Sequence, residues 1–217
     1  MRRSTRALLE VTLLFLLVIG ICRVLFQYRS VPFLSRTLPL WAAALFLYIP
    51  LLLLFLQKRS PREWGLTLHG FRASLTTALA LSLVCLPAFV VLYQVYQRLW
   101  LHGAGHIALS SGWIMLFLYH LACVALPEEV FYRGYMQSRL NGAFPSGVRV
   151  LGARLGVGWL YTALLFALGH YLIDFRLDTL ATFFPGLLFG WLRERTGSVA
   201  ASTIFHALCN FTILLVS

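Results

Sequence analysis

Seven acidic residues serve 217 positions, and two of them, Glu128 and Glu129, are adjacent. They follow a long apolar run, in Pro127-Glu128-Glu129-Val130-Phe131-Tyr132-Arg133-Gly134. Ionisable side chains at membrane depth are costly and mark functional sites by default. On a helix the two glutamates point about 100° apart, so they cannot share one task. Glu129 precedes Arg133 by four residues, the favourable order for a helical ion pair. That pairing leaves Glu128 without a partner in its own helix, and a lone carboxylate in an apolar site suits general acid–base work. The bland alternative is that both acids mark a helix end at the cytoplasmic interface. Phe166-Ala167-Leu168-Gly169-His170 closes a second apolar run, where Gly169 permits close approach of another helix or a substrate. In His206-Ala207-Leu208-Cys209-Asn210, His206 and Asn210 share a helix face. One such histidine reads as a satisfied core residue. Two histidines, an asparagine and two glutamates on three apolar segments need one another as partners. Together they offer a base and polar donors that could face a developing charge in a dry cavity.

The elements that position these groups follow from the apolar runs. The chain is 60% hydrophobic and 12% charged, about half the charged fraction of an ordinary soluble domain. A bilayer core needs about 20 apolar helical residues, and seven segments qualify: about 7–26, 38–56, 73–95, a fourth from near 112 that carries the glutamates, 155–173, 179–192 and 198–216. The expected fold is all-α, a polytopic membrane bundle of about seven transmembrane helices. The sixth segment is short, and Pro185-Gly186 in its middle predicts a kink.

With the N-terminus cytoplasmic, the inner segments hold Arg2, Arg3, Arg6, Lys58, Arg59, Arg62, Arg72, Arg133, Arg139, Arg149, Arg154, Arg193 and Arg195, thirteen of the eighteen basic residues. That bias obeys the positive-inside rule and favours seven spans with the C-terminus outside. The net charge of +11 is thus a topology signal, and without a basic face interleaved with aromatics nucleic-acid binding is excluded. Met1-Arg2-Arg3 precedes a retained first span, since no small-residue cleavage site follows and Arg23 interrupts its end. Cys22, Cys85, Cys123 and Cys209 lie in apolar runs with no C-x-x-C pair, and read as small buried hydrophobes. Gln57 to Gly70 is a loop whose Trp64 and Leu66 are expected to anchor at the interface. His69, His102 and His106 read as solvated loop residues, and Asp174 and Asp178 as a solvated turn around Arg176. Ser202, four before His206, lacks a G-x-S-x-G context for a nucleophile, and neither Cys123 nor Cys209 has a stronger case.

Depth tests whether one site is feasible. At 1.5 Å per residue, with the fourth helix reaching about Arg139, Glu128 lies about 16 Å, His170 about 21 Å and His206 about 12 Å from the cytoplasmic edge. A shared site requires the fourth helix to continue through Pro127 and past Arg133. Glu128, His170, His206 and Asn210 should then converge, with Glu129 turned toward Arg133.

These residues resemble the CAAX prenyl protease and bacteriocin-processing (CPBP, Abi) intramembrane protease family. Its double glutamate with an arginine four after the second matches Glu128, Glu129 and Arg133. Its phenylalanine four before a histidine matches Phe166 and His170, and its histidine four before an asparagine matches His206 and Asn210. The motifs occur in order over about the last hundred residues. The resemblance implies one protease domain over 1–217, with generic membrane helices in 1–100 and the motif core in 110–217. It implies an endopeptidase that cuts near the C-terminus or membrane segment of a membrane-associated protein or peptide, in a lipid bilayer and, by the bacterial relatives, an inner membrane. Glu128 with His170 would activate water, His206 and Asn210 would stabilise the oxyanion, and Glu129, Arg133 and Phe166 would support them. Substrates in reach are a C-terminal sorting signal of a surface-anchored protein, a peptide precursor or a prenylated tail. Glu128, His170 and His206 could hold zinc with one open position, but no H-E-x-x-H is present and a mechanism requiring no cofactor is favoured. Two other classes compete: a non-catalytic chaperone or immunity factor on this scaffold, and a proton-coupled transporter using the same residues as a relay.

Overall fold

The computed structural model describes residues 3–100 and 111–216. Met1, Arg2, His102 and His106 lie outside the described residues. The apolar runs form α1 (Arg3–Gln27), α2 (Pro32–Leu56), α3 (Phe71–Trp100), α4 (Trp113–Ala143), α5 (Val157–Asp174), α6 (Phe183–Thr196) and α7 (Val199–Val216). All but α6 are long and apolar enough to cross a bilayer. The helix faces agree with an integral membrane bundle. In α1, Ala7, Val11, Phe15, Val18 and Cys22 are buried at helical spacing while Leu9, Leu13, Leu16 and Leu17 are exposed. Both faces are apolar, so one packs on protein and the other suits lipid.

The sixth segment departs from expectation. Fourteen residues of α6 rise about 21 Å, short of the roughly 30 Å hydrocarbon core. The helix begins at Phe183, after a 3-10 segment Leu177–Thr182. Pro185 therefore occupies the first turn, where its missing N–H has no helical partner to lose, and the expected mid-helix kink gives way to a helix start.

The segments expected to be cytoplasmic gather at one end of the bundle. Arg139 of α4 binds Glu10 of α1 at 2.8 Å, and Gln57 after α2 donates to the same carboxylate at 3.4 Å. The Val199 N–H donates to the Gly65 carbonyl and Ser198 Oγ to that of Thr67, tying the α2–α3 loop to the start of α7. At the opposite end Arg23 donates to the Ile173 carbonyl and lies over the Phe175 ring. Nearby, the exposed Arg176–Asp178 pair caps a turn, and its guanidinium holds the Asp178 carboxyl below its usual range.

Two expectations are corrected. The stretch Gln57–Gly70 contains a 3-10 turn, Pro61–Trp64, folded onto α4. Trp64 is only 4% exposed and packs on Tyr135 with ring centroids 5.0 Å apart. It is a core residue, because an indole that finds an apolar slot gains more there than at an interface; Leu66 lines an apolar cleft beside it. Between α4 and α5 the chain forms an antiparallel hairpin, β1 (Gly147–Val150) and β2 (Ala153–Gly156), whose second strand takes up the first residues of the expected fifth span. All four cysteines are free; Cys22 is buried and the other three are half-buried.

Candidate active site

Helix α4 continues through Pro127 and past Arg133, as a shared site requires. It is not a regular α-helix. Wider π turns at His120–Ala125 and Val130–Gln137 flank a single α turn, Leu126–Glu129. Proline removes a helical donor and its ring presses on the preceding turn. The π turn before Pro127, in which the Leu126 N–H reaches back to the Leu121 carbonyl, loosens that turn. Such π insertions concentrate at functional sites.

The two glutamates end in different environments. Glu129 is fully buried, and its Oε1 forms an ion pair with Arg133 Nη1 at 3.2 Å and accepts from His206 Nδ1 at 3.0 Å. Glu128 is slightly exposed, and its Oε2 lies 3.8 Å from His206 Nε2. That oxygen is buried and has no hydrogen-bond partner. The His206 imidazole therefore spans the pair, one nitrogen on each carboxylate. Its ring stacks on Phe189 at 4.5 Å and 16°, which fixes the ring plane. Ser202, one turn before His206, is buried and donates to the Val199 carbonyl.

Arg133 is held as tightly as its partner. It is fully buried, Nη2 donates to the Gly186 carbonyl at 3.0 Å, and the guanidinium lies over the Phe166 and Phe189 rings at 4.5 and 5.1 Å. Phe166 is the common neighbour of the site. Its ring also contacts His170 at 4.6 Å and His206 at 5.7 Å. Gly169 allows α5 to meet α4 here, since a Cβ at that position would sit 2.5 Å from the Tyr132 hydroxyl.

Of the four residues expected to converge, Glu128 and His206 meet, while Glu129 turns toward Arg133 and Phe166 lies against His206. His170 joins through Phe166. Its Nδ1 donates to the Phe166 carbonyl at 2.9 Å, and it pairs with neither glutamate. Asn210 stands one turn beyond His206, half-buried, with no side-chain hydrogen bond among the described residues. Two features escaped the sequence reading. One is the bond between Glu129 and His206, which spacing within a single helix cannot reveal. The other is His120, half-buried in the first π turn, whose Nδ1 is buried and unbonded within electrostatic range of His206. Its signal was a histidine inside an apolar span, eight residues before Glu128. Among the described residues no group of three or more His, Cys, Asp or Glu is arranged to hold a metal ion; Glu128, His170 and His206 are not gathered as a ligand set.

An apolar cleft of about 550 Å³ opens between the α2–α3 connection, α4 and α7. Leu66, Leu68 and Phe71 of the α2–α3 connection line it, with Leu121 and Leu126 of α4 and Ile204 of α7. Leu126 is two residues from Glu128, and Thr203, which also lines the cleft, is three from His206.

Residues 110–212 match the family model described as type II CAAX prenyl endopeptidase Rce1-like. That is the family the three motifs resemble, and the matched stretch contains all of them. No curated protein and no solved structure matches the chain. At family level the match supports a CAAX-type intramembrane protease, with a lipid bilayer around it and a peptide substrate within reach of that bilayer.

Proposed function

We propose that the chain, as a CAAX-type intramembrane protease, hydrolyses a peptide bond near the C-terminus or membrane segment of its substrate with a water activated by Glu128. The observation that carries this reading is the His206 imidazole held between two carboxylates, Glu129 committed through Oε1 to Arg133 and His206, and Glu128 without a side-chain hydrogen bond among the described residues. Glu129 spends its Oε1 on Arg133 and His206 and acts as a positioning residue. The unused Oε2 of Glu128 can take a proton from a water placed beside it. As that water attacks the scissile carbonyl carbon, the carbonyl electrons move to oxygen, where the His206 Nε2–H and the Asn210 amide donate to the oxyanion. Collapse of the intermediate expels the amine, which takes the proton held by Glu128. His170 donates from Nδ1 to its own helix, and its Nε2 is the nitrogen left to meet the water.

The apolar cleft between the α2–α3 connection, α4 and α7 suits a substrate with apolar residues or a lipid group near the cut bond. A prenylated C-terminal tail, the substrate class in the family's name, is one such substrate. A sorting helix of a surface-anchored protein and a peptide precursor are others. The domain extends over 1–217 with its chemistry in 110–217. The N-terminus lies on the cytoplasmic side, a placement supported by the basic segments that share one end of the bundle, and the membrane is a bacterial-type inner membrane, as the family's bacterial members suggest. The water-based mechanism needs no metal.

Mass spectrometry of membrane and released peptides, with and without Glu128→Gln, tests the reading, since a cleavage product that vanishes identifies both substrate and bond. Unchanged phenotypes for Glu128→Ala and His206→Ala would favour a non-catalytic scaffold, and proton-driven flux in liposomes without cleavage a transporter. Activity lost on exhaustive chelation and restored by zinc would overturn the metal-free mechanism.

A further inference from the structure

The hairpin between α4 and α5 is built against local preference. Its two central residues, Leu151 and Gly152, both have positive φ, 45° and 82°. Such a type I′ turn favours Asn-Gly or Asp-Gly. A leucine in the left-handed region costs roughly 1–2 kcal/mol, and this one buries nothing in return, being 80% exposed at the tip. Val148 is also largely exposed, on the face it shares with Val150.

The opposite face has a second irregularity. Arg149 and Arg154 are directly cross-strand partners, and like charges in that position destabilise a hairpin. Neither forms an ion pair among the described residues. A third guanidinium, that of Arg195, lies against Gly152, where a Cβ would approach its Nε to 3.0 Å. Glu194 lines a hollow of about 180 Å³ with Arg154. Its Oε1 accepts from Gln137 and Asn141 on the bundle side. The hairpin is nevertheless firmly seated, with Trp191 Nε1 donating to the Val150 carbonyl at 3.1 Å.

We propose that this hairpin is an interfacial foot that binds the phosphate of an anionic lipid headgroup between Arg149 and Arg154, with Leu151 and Val148 entering the boundary between headgroups and acyl chains. One occupant resolves both irregularities: the phosphate offsets the arginine pair, and the lipid receives the strained apolar tip. The hairpin stands at the end of the bundle that carries the basic segments, and basic groups at such a surface attract anionic lipid.

The test uses the purified full chain in neutral detergent, titrated with phosphatidylglycerol, phosphatidylcholine or inorganic phosphate while thermal unfolding is followed. Phosphatidylglycerol should raise Tm far more than phosphatidylcholine or inorganic phosphate. Arg149→Gln/Arg154→Gln should weaken the phosphatidylglycerol response about thirtyfold in lipid concentration, from about 1 kcal/mol per arginine. Arg72→Gln, an exposed arginine elsewhere on that end, should leave it unchanged. Leu151→Asn, which suits the turn, should keep or raise the lipid-free Tm and still lose part of the lipid gain, so a fold-compromised arginine variant does not decide the matter. An equal response to phosphatidylcholine, an equal response to inorganic phosphate, or an undiminished gain in the arginine and leucine variants would overturn the proposal.

Discussion

Glu128→Gln and Glu129→Gln each exchange one carboxylate oxygen for an amide nitrogen at neighbouring residues, yet the structure expects opposite outcomes. Glu129 is fully buried and its Oε1 serves both Arg133 and His206. An amide there leaves the Arg133 guanidinium, also fully buried, without its counter-charge. Removing one partner of a buried ion pair costs about 3–5 kcal/mol. For a chain of this length that is about 6–20 °C in Tm. Activity should fall with it, since His206 loses the acceptor that orients its ring. Glu128 has no such partner. At 3.8 Å its contact with His206 Nε2 is beyond hydrogen-bond reach, and its buried Oε2 is unbonded. Neutralising it removes a desolvated charge, so Tm should hold or rise. Cleavage should still drop by about 10²–10⁴, the range for loss of a positioned base.

Both quantities can be read on one preparation, with peptide cleavage and thermal unfolding measured in the same detergent. A Glu128→Gln protein that loses as much Tm as Glu129→Gln would refute the division of labour, and one that still cleaves would refute the mechanism. The pair energy can be isolated further. Arg133→Met should be as damaging as Glu129→Gln, and the double variant should cost clearly less than the two single changes added.

Trp64→Ala should destabilise by about 3–5 kcal/mol, the cost of emptying a large aromatic site; a surface anchor would lose almost nothing, and thermal unfolding separates the two. Gly169→Ala should lower Tm by the equivalent of about 1–3 kcal/mol, because the new methyl would press on the Tyr132 hydroxyl, and an unchanged Tm would mean that α4 and α5 can separate freely there. Glu10→Gln should loosen the end of the bundle where Arg139, Tyr135 and Gln57 meet its carboxylate, seen as faster amide exchange in the first turns of α1 with little change in cleavage.

What could be read from the sequence was whatever a single helix encodes. Apolar length located the six long helices, and charge bias placed α1, α2, α4 and α6 ends together, as the Glu10–Arg139 and Gly65–Val199 contacts bear out. The i,i+4 rule found Glu129–Arg133. The misses arise where tertiary structure overrides local pattern. Trp64 looked interfacial because a tryptophan in a polar loop usually is, and only the slot beside Tyr135 makes it a core residue. The hairpin was hidden because Leu151-Gly152 is a poor turn signal. The partner of His206 lies 77 residues away, a distance no spacing rule covers.

The short α6 shows how these levels join. Too short to cross a membrane alone, it could be a re-entrant ornament, but its contacts argue otherwise. Arg133 donates to the carbonyl of Gly186, Gln137 to that of Gly190, and Asn141 to the Glu194 carboxylate. Donors and acceptors advance by four residues together, so α4 and α6 run side by side in the same direction, one rung per turn. Two of the acceptors are glycines, and at Gly190 a Cβ would come within 2.9 Å of Gln137 Oε1, so the close approach depends on their small size. The first two rungs lie in the second π turn of α4, the part of the helix least able to hold itself by regular hydrogen bonding. The helix is widened on both sides of the turn that carries Glu128 and Glu129, and α6 supplies from outside the rigidity that widening removes. Gln137→Leu tests this coupling. It deletes a buried rung far from the reacting atoms, leaves the Gly190 carbonyl bonded only within its helix, and should lower cleavage while Tm falls by only the equivalent of about 1–3 kcal/mol. If cleavage survives intact with that loss of stability, the ladder holds the fold but does not aim the glutamates.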